Sequence, residues 1–333
     1  MKFRITVNHG LPSPISWRNT GTASGESALT TLINSDRYHV RKGLAITLIG
    51  GLLFSFELPL LRLAQTSNQN LIFARGLLLF LSISTVWWLV RTYRNSREPF
   101  ISGWAGWSIV ATNTIATVSY ITAVTKTDAA NVVFITALIP IATALMARIF
   151  LGERVHMFTW AATILSMVGL GFIAGDSLQL GWDQAYGDIL AFISCLCTAA
   201  AFTIIRASGK NVATSLGTGS LCSALFAFVF LSPVLTGPGS MSAQGWIWVA
   251  LAGLIVIPLA STLIANGPRF LPSVDVSMFF LLETALTPFW TFLLFAEVPR
   301  ENVMKGGAIV LGTLIAHSLW RLTDSLRVSR SGT

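Results

Sequence analysis

The chain presents matching residues twice, 144 positions apart, and both copies lie in apolar segments. The pairs are Gly43 and Gly187, Arg62 and Arg206, Trp104 and Trp248, Asn131 and Asp275, and Glu153 and Glu297. Each copy holds five apolar runs, and an odd number of membrane crossings turns the second copy upside down. The alternative is chance, because short matches are easy to find. We interpret the pairs as a duplication and expect two repeats of opposite orientation.

The apolar runs predict that the solvent around this protein is lipid. Apolar residues make up 53% of the 333 positions and charged residues only 11%, against about 25% charged residues in soluble domains. Ten runs reach the roughly 20 residues that a helix needs to cross a bilayer: 43–63, 71–91, 104–125, 128–151, 156–175, 187–206, 214–235, 245–267, 273–296 and 303–322. We predict an all-α membrane protein with ten transmembrane helices, built as two inverted five-helix repeats over 43–175 and 187–322.

Basic residues predict the orientation. With a cytoplasmic N-terminus, seventeen of the 22 Lys and Arg residues lie on the inner side and four on the outer side, the asymmetry that membrane insertion follows. The polar segments 1–42 and 323–333 are then cytoplasmic tails, and the first lacks the apolar core of a signal peptide. We therefore expect a multi-pass protein of a bacterial inner membrane with both termini cytoplasmic.

Several function classes find no support in the sequence. The net charge of +8 comes from loop residues that set orientation, so no nucleic-acid partner is indicated. The three cysteines have no metal or redox spacing, no phosphate-binding loop occurs, and no catalytic set lies at depth. We predict no cofactor, no metal and no enzymatic activity. The predicted partners are a small-molecule substrate and the lipid bilayer. The protein is predicted to be a monomer.

Charged residues inside the spans are the first site candidates, because they are costly in a membrane. Glu57 lies six residues before the outer end of span one and Arg75 about four residues into span two, at similar depth. The spacing predicts a buried ion pair, either static or able to titrate. Glu283 lies near the middle of span nine with no obvious cation at its depth. It either lines a wet cavity or is a protonated structural residue.

Polar residues and prolines at depth extend the candidate set. Substrate-cavity candidates besides Glu283 are Asn113, Thr117, Tyr120, Ser194, Thr198, Ser261, Thr287 and Trp290. Interhelical hydrogen bonding is the alternative for the polar face of span three. Prolines that remove backbone hydrogen bonds predict helix breaks at Pro59, Pro140, Pro258 and Pro288. Small residues predict close packing of spans five and ten, at Gly169 and Gly312.

Local motifs resemble one transporter family. Phe73-Ala74-Arg75-Gly76 is similar to the arginine motif that opens span two in the EamA type of the drug/metabolite transporter superfamily. Similar family segments are 129–140, Leu151-Gly152-Glu153-Arg154 and Gly187-Asp188-Ile189-Leu190. The second copy departs, with Ala296 in place of the glycine and Thr284 where the first copy has Pro140.

The resemblance covers residues 43 to 322 and implies a function. Spans 1, 3, 4, 6, 8 and 9 would line a central cavity, with spans 5 and 10 as scaffold. It implies a secondary transporter that exports small metabolites by alternating access, and amino-acid exporters, including aromatic ones, are the nearest relatives by general likeness. The alternatives are export of sugars, nucleosides or cationic drugs, or a membrane protein that transports nothing.

The charge asymmetry makes the topology testable. A cysteine introduced at Asn95, in the loop after span two, is expected to stay unlabelled by an impermeant thiol reagent applied to intact cells. It should react once the membrane is permeabilised. If the cysteine reacts in intact cells, the predicted orientation is wrong.

Overall fold

The computed structural model describes residues 40–94, 99–127, 129–153, 155–174, 185–235, 237, 239–296 and 301–328. Most of the predicted tail 1–42, the end of the tail 323–333, Arg154 and Glu297 lie outside these residues. The described residues form ten helices and their connections, without a strand. The all-helical fold class is therefore confirmed.

The first five helices run in sequence order. Helix α1 is Val40–Leu63, α2 Asn68–Arg94, α3 Gly103–Lys126 and α5 Met157–Ala174. Helix α4 is interrupted, with segments Ala129–Thr136 and Ile139–Met146 followed by the π-helical turn Ala147–Leu151.

The other five helices follow the same order. Helix α6 is Ala185–Ser208, α9 Ser273–Phe295 and α10 Glu301–Val328. Helix α7 is Ala213–Phe226 with the π-helical turn Ala227–Leu231. Helix α8 joins Ala243–Leu251, the π-helical turn Ala252–Val256, Ile257–Asn266 and the 3₁₀ turn Gly267–Arg269.

Eight helices in the described part of the chain are long and apolar enough to cross a membrane. The two others are α3, which has the length but many polar residues, and α5, whose apolar stretch is the shorter Met157–Ile173. Both coincide with predicted spans. Multiple membrane-spanning helices are therefore confirmed, while the number ten stays a prediction.

Contacts between connections define two ends of the bundle. At one end, Ser102 donates a hydrogen bond to the carbonyl of Asn211, and Lys42 lies over the ring of Phe270. We name this the basic end, because the loops that are rich in Lys and Arg meet there. At the other end, which we name the far end, Asn70 Nδ2 donates to the carbonyl of Gly239. Helix α1 begins at the basic end and α6 at the far end.

The predicted helix breaks are only partly observed. A turn at Ser55–Phe56 precedes Pro59, a turn ends just before Pro140, and a π-helical turn ends just before Pro258. Pro288 is a correction, because α9 continues through it without a break. The proline leaves the carbonyl of Thr284, four residues earlier, without its helical donor, and the helix continues nevertheless.

Close packing of α5 on α10 uses different residues from those predicted on α10. A Cβ atom on Gly169 would lie 2.9 Å from the carbonyl oxygen of Gly306, and one on Gly306 would overlap the carbonyl oxygen of Gly169. The predicted packing contact at Gly312 is wrong, since no neighbouring atom lies within 4 Å of its Cβ position. Its small neighbours Ala308 and Ala316 are exposed as well. That stripe faces outward, away from α5.

The two glycines of α10 provide a matched test. Gly306→Ala should lower thermal stability because the new methyl group overlaps the backbone of α5. Gly312→Ala should be neutral or stabilising, since alanine is favoured over glycine in a helix by about 1 kcal/mol. Thermal unfolding of the purified variants in detergent checks the difference. Equal melting temperatures would contradict the assigned contact.

Candidate functional site

A break in α1 positions the first carboxylate of the candidate site. The helix is interrupted at Ser55–Phe56, where the Ser55 hydroxyl donates to the carbonyl of Leu52 at 2.6 Å. Trp290 of α9 donates from Nε1 to Ser55 Oγ at 2.8 Å and so ties the break to a second helix. Glu57 follows the turn as the first residue of the next helical segment and is buried.

The structure brings Glu57 and Arg75 together. Arg75 Nε of α2 lies 2.5 Å from Glu57 Oε1, with side-chain exposures of 21% and 8%. Gly76 beside it packs so closely on α7 that a Cβ atom would lie 2.5 Å from the carbonyl oxygen of Ser220. Because Gly76 has no side chain, α2 can pack closely against α7. This close packing fixes the position of Arg75, the residue before it.

Glu283 lies near this pair, which corrects the expectation that no cation stands close to it. The residue is partly buried on α9, and both Glu57 and Arg75 act on it electrostatically. Tyr120 of α3 lies within the electrostatic range of all three charges. With Glu57 and Glu283 ionised, one guanidinium faces two carboxylates. We name these four residues the central cluster.

Aromatic side chains border the central cluster. The rings of Phe56 and Trp290 have centroids 4.0 Å apart, and the Trp290 ring also contacts Phe289. Thr287 donates to the carbonyl of Glu283 at 2.6 Å, so its hydroxyl is engaged within its own helix. The wall beside Glu283 is therefore aromatic, and Trp290 is fixed by its bond to Ser55.

The remaining polar candidates serve different roles. Asn113 lies two turns from Tyr120 and donates to Leu216 O at 3.3 Å and Ser220 Oγ at 3.4 Å. This is the interhelical bonding considered as the alternative. Ser261 bonds to the carbonyl of Ile257 in its own helix. The other candidates on α3 and α6, which pack together along their length, are Thr117 and Thr198, both partly buried, and the buried Ser194.

A second charged group at the basic end was not predicted as a site. Arg206 Nε lies 2.8 Å from Glu153 Oε1, and Arg321 Nε lies 2.6 Å from Asp275 Oδ2. His317 Nε2 lies 3.4 Å from Asp275 Oδ1. The sequence could have indicated this group, because its members stand near the ends of predicted spans on the side that the basic loops mark as inner. We name the five residues the basic-end cluster.

Comparisons with known proteins agree with the fold and with the resemblance. Residues 41–175 match the model of the EamA-like transporter family. An uncharacterized transporter of Synechocystis sp. is 23% identical over 207 residues, which cover 57% of this chain and 57% of that protein. A crystal structure described only as that of a protein matches with a TM-score of 0.71 at 14% identity, over 84% of this chain and 98% of its own. The predicted resemblance to the EamA type is thus confirmed over the first five helices.

The Glu57–Arg75 contact predicts energetic coupling. Glu57→Gln and Arg75→Gln should each destabilise the protein, because breaking one side of a buried pair costs about 3–5 kcal/mol. The double variant should lose less than the sum of the two, since no unpaired charge remains between them. A double-mutant cycle of thermal unfolding measures the coupling. Additive losses would mean that the pair does not form.

Proposed function

We propose that the protein is a secondary transporter that exports small metabolites, with amino acids, aromatic ones included, as the favoured class, across a bacterial inner membrane by alternating access. The central cluster carries this proposal, because charged groups among apolar helices mark solute and ion pathways. Residues 41–175 match a transporter family, which supports the class of protein. The proposed form is a monomer whose basic end, with both termini, lies in the cytoplasm.

Alternating access follows from the proposed inverted repeats, and packing glycines support them. A Cβ atom on Gly43 would meet Phe270 and Leu271 at the basic end. One on Gly187 would meet Lys126 and Thr127 at the far end. Adding 144 to Gly43 gives Gly187, and adding 144 to Lys126 and Thr127 gives Phe270 and Leu271. The glycine of each copy therefore packs against equivalent residues of the other copy. This reciprocity is what a pseudo-two-fold axis in the membrane plane produces.

Helix bounds and helix ends support the same symmetry. Segments 129–151 and 273–295 share their limits at the spacing of 144. The residues after them, Gly152 and Ala296, both have left-handed backbones, with φ of +67° and +55°. Gln65 and Gly209 form a second such pair, with φ of +46° and +60°. Alanine and glutamine rarely adopt this conformation, so the shared geometry favours an inherited turn over chance.

One contact marks where the proposed axis would pass. The carbonyl of Ser220 touches the Cβ position of Gly76, and these two residues are themselves 144 positions apart. A residue that contacts its own repeat mate lies at the axis. Arg75 is its neighbour, so the proposed axis runs beside the central cluster, where transporters of inverted-repeat design bind their substrates.

The charge balance of the central cluster supports the choice of substrate class. When Glu283 is ionised, two carboxylates face one guanidinium, and the excess of negative charge is one that an amino group of the solute would neutralise. Arg75 is positioned to meet a carboxylate of the same solute when its pair with Glu57 opens. A neutral sugar would leave the charges of Glu57, Arg75 and Glu283 as they are, so the cluster favours solutes that carry an ammonium.

Organic cations are a second candidate class. The Phe56 and Trp290 rings, 4.0 Å apart and tilted by 31°, form an aromatic wall near the central cluster, and cations bind over such rings. An organic cation would use Glu283 and this wall but leave Arg75 without a role. Uptake of a labelled cation such as tetraphenylphosphonium, measured beside labelled amino acids, separates the two classes.

Glu283→Gln tests the proposal directly. Liposomes that hold the purified protein and no ATP should take up labelled amino acids, and a pH gradient should change the rate. The variant keeps the shape and removes the charge. Loss of a charged hydrogen bond, about 1.5–3 kcal/mol, should lower uptake by roughly ten- to a hundredfold with normal membrane insertion.

The control is Glu301→Gln, which removes a carboxylate that is 80% exposed and paired with Lys305 on the same helix. It should transport like the unmodified protein. If Glu283→Gln also transports normally from pH 5.5 to 8, the residue is structural and the amino-acid assignment loses its support. A strict requirement for ATP would exclude a secondary transporter.

A further inference from the structure

A cavity of about 220 Å³ lies at the basic end, and four of its walls are charged side chains. They are Glu153, Arg206, Asp275 and Arg321, and the other lining residues are Val155, Thr159, Pro272 and Val274. The four come from α6, α9, α10 and the connection after α4, so the cavity is built between helices. Nothing in the proposed central cluster uses any of these residues.

We propose that this cavity is a second binding site, for a small zwitterion that carries one ammonium and one carboxylate. Among the lining residues that the structure describes, two guanidiniums balance two carboxylates, so a solute of separated but balanced charge is complementary to them. The identity of the solute as an amino acid rests on the proposed function. The binding itself does not require transport.

Buried carboxylate oxygens at the cavity lack donors. Among the described residues, Glu153 Oε2 and Asp275 Oδ1 are buried without a hydrogen-bond partner. The other oxygen of Asp275, Oδ2, is engaged by Arg321 Nε at 2.6 Å, while His317 Nε2 stays 3.4 Å from Oδ1. Buried charged oxygens without donors are unfavourable. An ammonium in the cavity would supply N–H donors to them once the carboxylates turn toward it.

The guanidiniums present the complementary half of the site. Arg206 is held from two sides, by Nε to Glu153 Oε1 and by Nη1 to the carbonyl of Pro268 at 3.0 Å. Arg321 is held against Asp275 and over the ring of Trp320. A guanidinium carries five N–H donors in a planar fork, so each can bind a solute carboxylate while keeping its present partner.

The size of the cavity limits the solute. Pockets for drug-sized ligands occupy about 300–1,000 Å³, and this cavity is smaller. It suits an amino acid with a short side chain. The apolar surface of Val155, Val274 and Pro272 would border that side chain, while the charged walls take its two ends.

The cavity and the central cluster are separate places. Asp275 and Glu283 stand eight residues apart on α9, about 12 Å along the helix axis. Between them Met278, Phe279 and Leu282 are buried in the main apolar core. Phe202 of α6 packs into the same layer. A solute in the cavity is therefore walled off from the central cluster in this conformation.

Occupation of the cavity would also weaken the contacts that close the basic end. The Glu153–Arg206 pair joins the end of α4 to the end of α6, and the Asp275–Arg321 pair joins α9 to α10. A solute that shares these charges competes with both pairs. Binding on the cytoplasmic side would then favour separation of the helices and passage toward the central cluster.

The test counts bound solute rather than transport. Equilibrium dialysis of labelled L-alanine and L-leucine against the purified full-length protein in detergent should give two molecules per chain. Glu153→Gln should raise the dissociation constant of one site by about tenfold or more, as expected for loss of a charged contact. Val155→Phe fills the cavity without changing its charge and should remove that site. Glu301→Gln is the control and should keep both.

The variants also separate this proposal from the proposed function. Glu283→Gln should remove only the central site, so that one molecule still binds in the cavity. N-acetyl-leucine and leucine amide, each lacking one charge, should fail to compete at the cavity. The proposal is overturned if Glu153→Gln and Val155→Phe bind as the unmodified protein does, if either blocked analogue competes equally, or if neither amino acid binds. Cavity binding without uptake in liposomes would contradict the proposed function alone.

Discussion

Ionised side chains inside an apolar helical bundle must find partners within the protein, and the central cluster depends on this requirement. Arg75 meets Glu57 only because α1 is interrupted at Ser55–Phe56 and α2 approaches α7 at Gly76. Glu283 adds a second carboxylate to the same guanidinium field. The break, the close approach and the charge excess therefore belong to one arrangement.

The two charged clusters differ in how they are held. The central cluster is anchored by a hydrogen bond between helices, Trp290 to Ser55, and by aromatic packing around it. The basic-end cluster joins helix ends through ion pairs, and a cavity of about 220 Å³ lies among them. A layer of the apolar core lies between them. Along α9, a charged end is followed by an apolar layer and then by a charged centre. This order suits a solute path that opens in stages.

Much of the fold could be read from the sequence because lipid imposes simple rules. Helix length and apolar content predict ten helical segments that coincide with the observed helices to within a few residues at most ends. The Glu57–Arg75 contact was predictable too, since two charges at equal depth on consecutive antiparallel helices have few other partners. Pro140 and Pro258 follow interruptions for the reason that the sequence suggests, the missing backbone donor.

Other features depend on which way a helix faces, and the sequence does not determine this in a chain whose helices are apolar all round. The small stripe of α10 at Gly312 turns outward, while Gly306 makes the contact with α5. Pro288 stays inside a continuous helix, and Arg75 lies close enough to Glu283 to act on it electrostatically. The sequence alone determined the membrane class, the helix order and one buried pair. Tertiary structure decided the rotation of each helix, and with it which charges from distant spans meet in the central cluster and at the basic end.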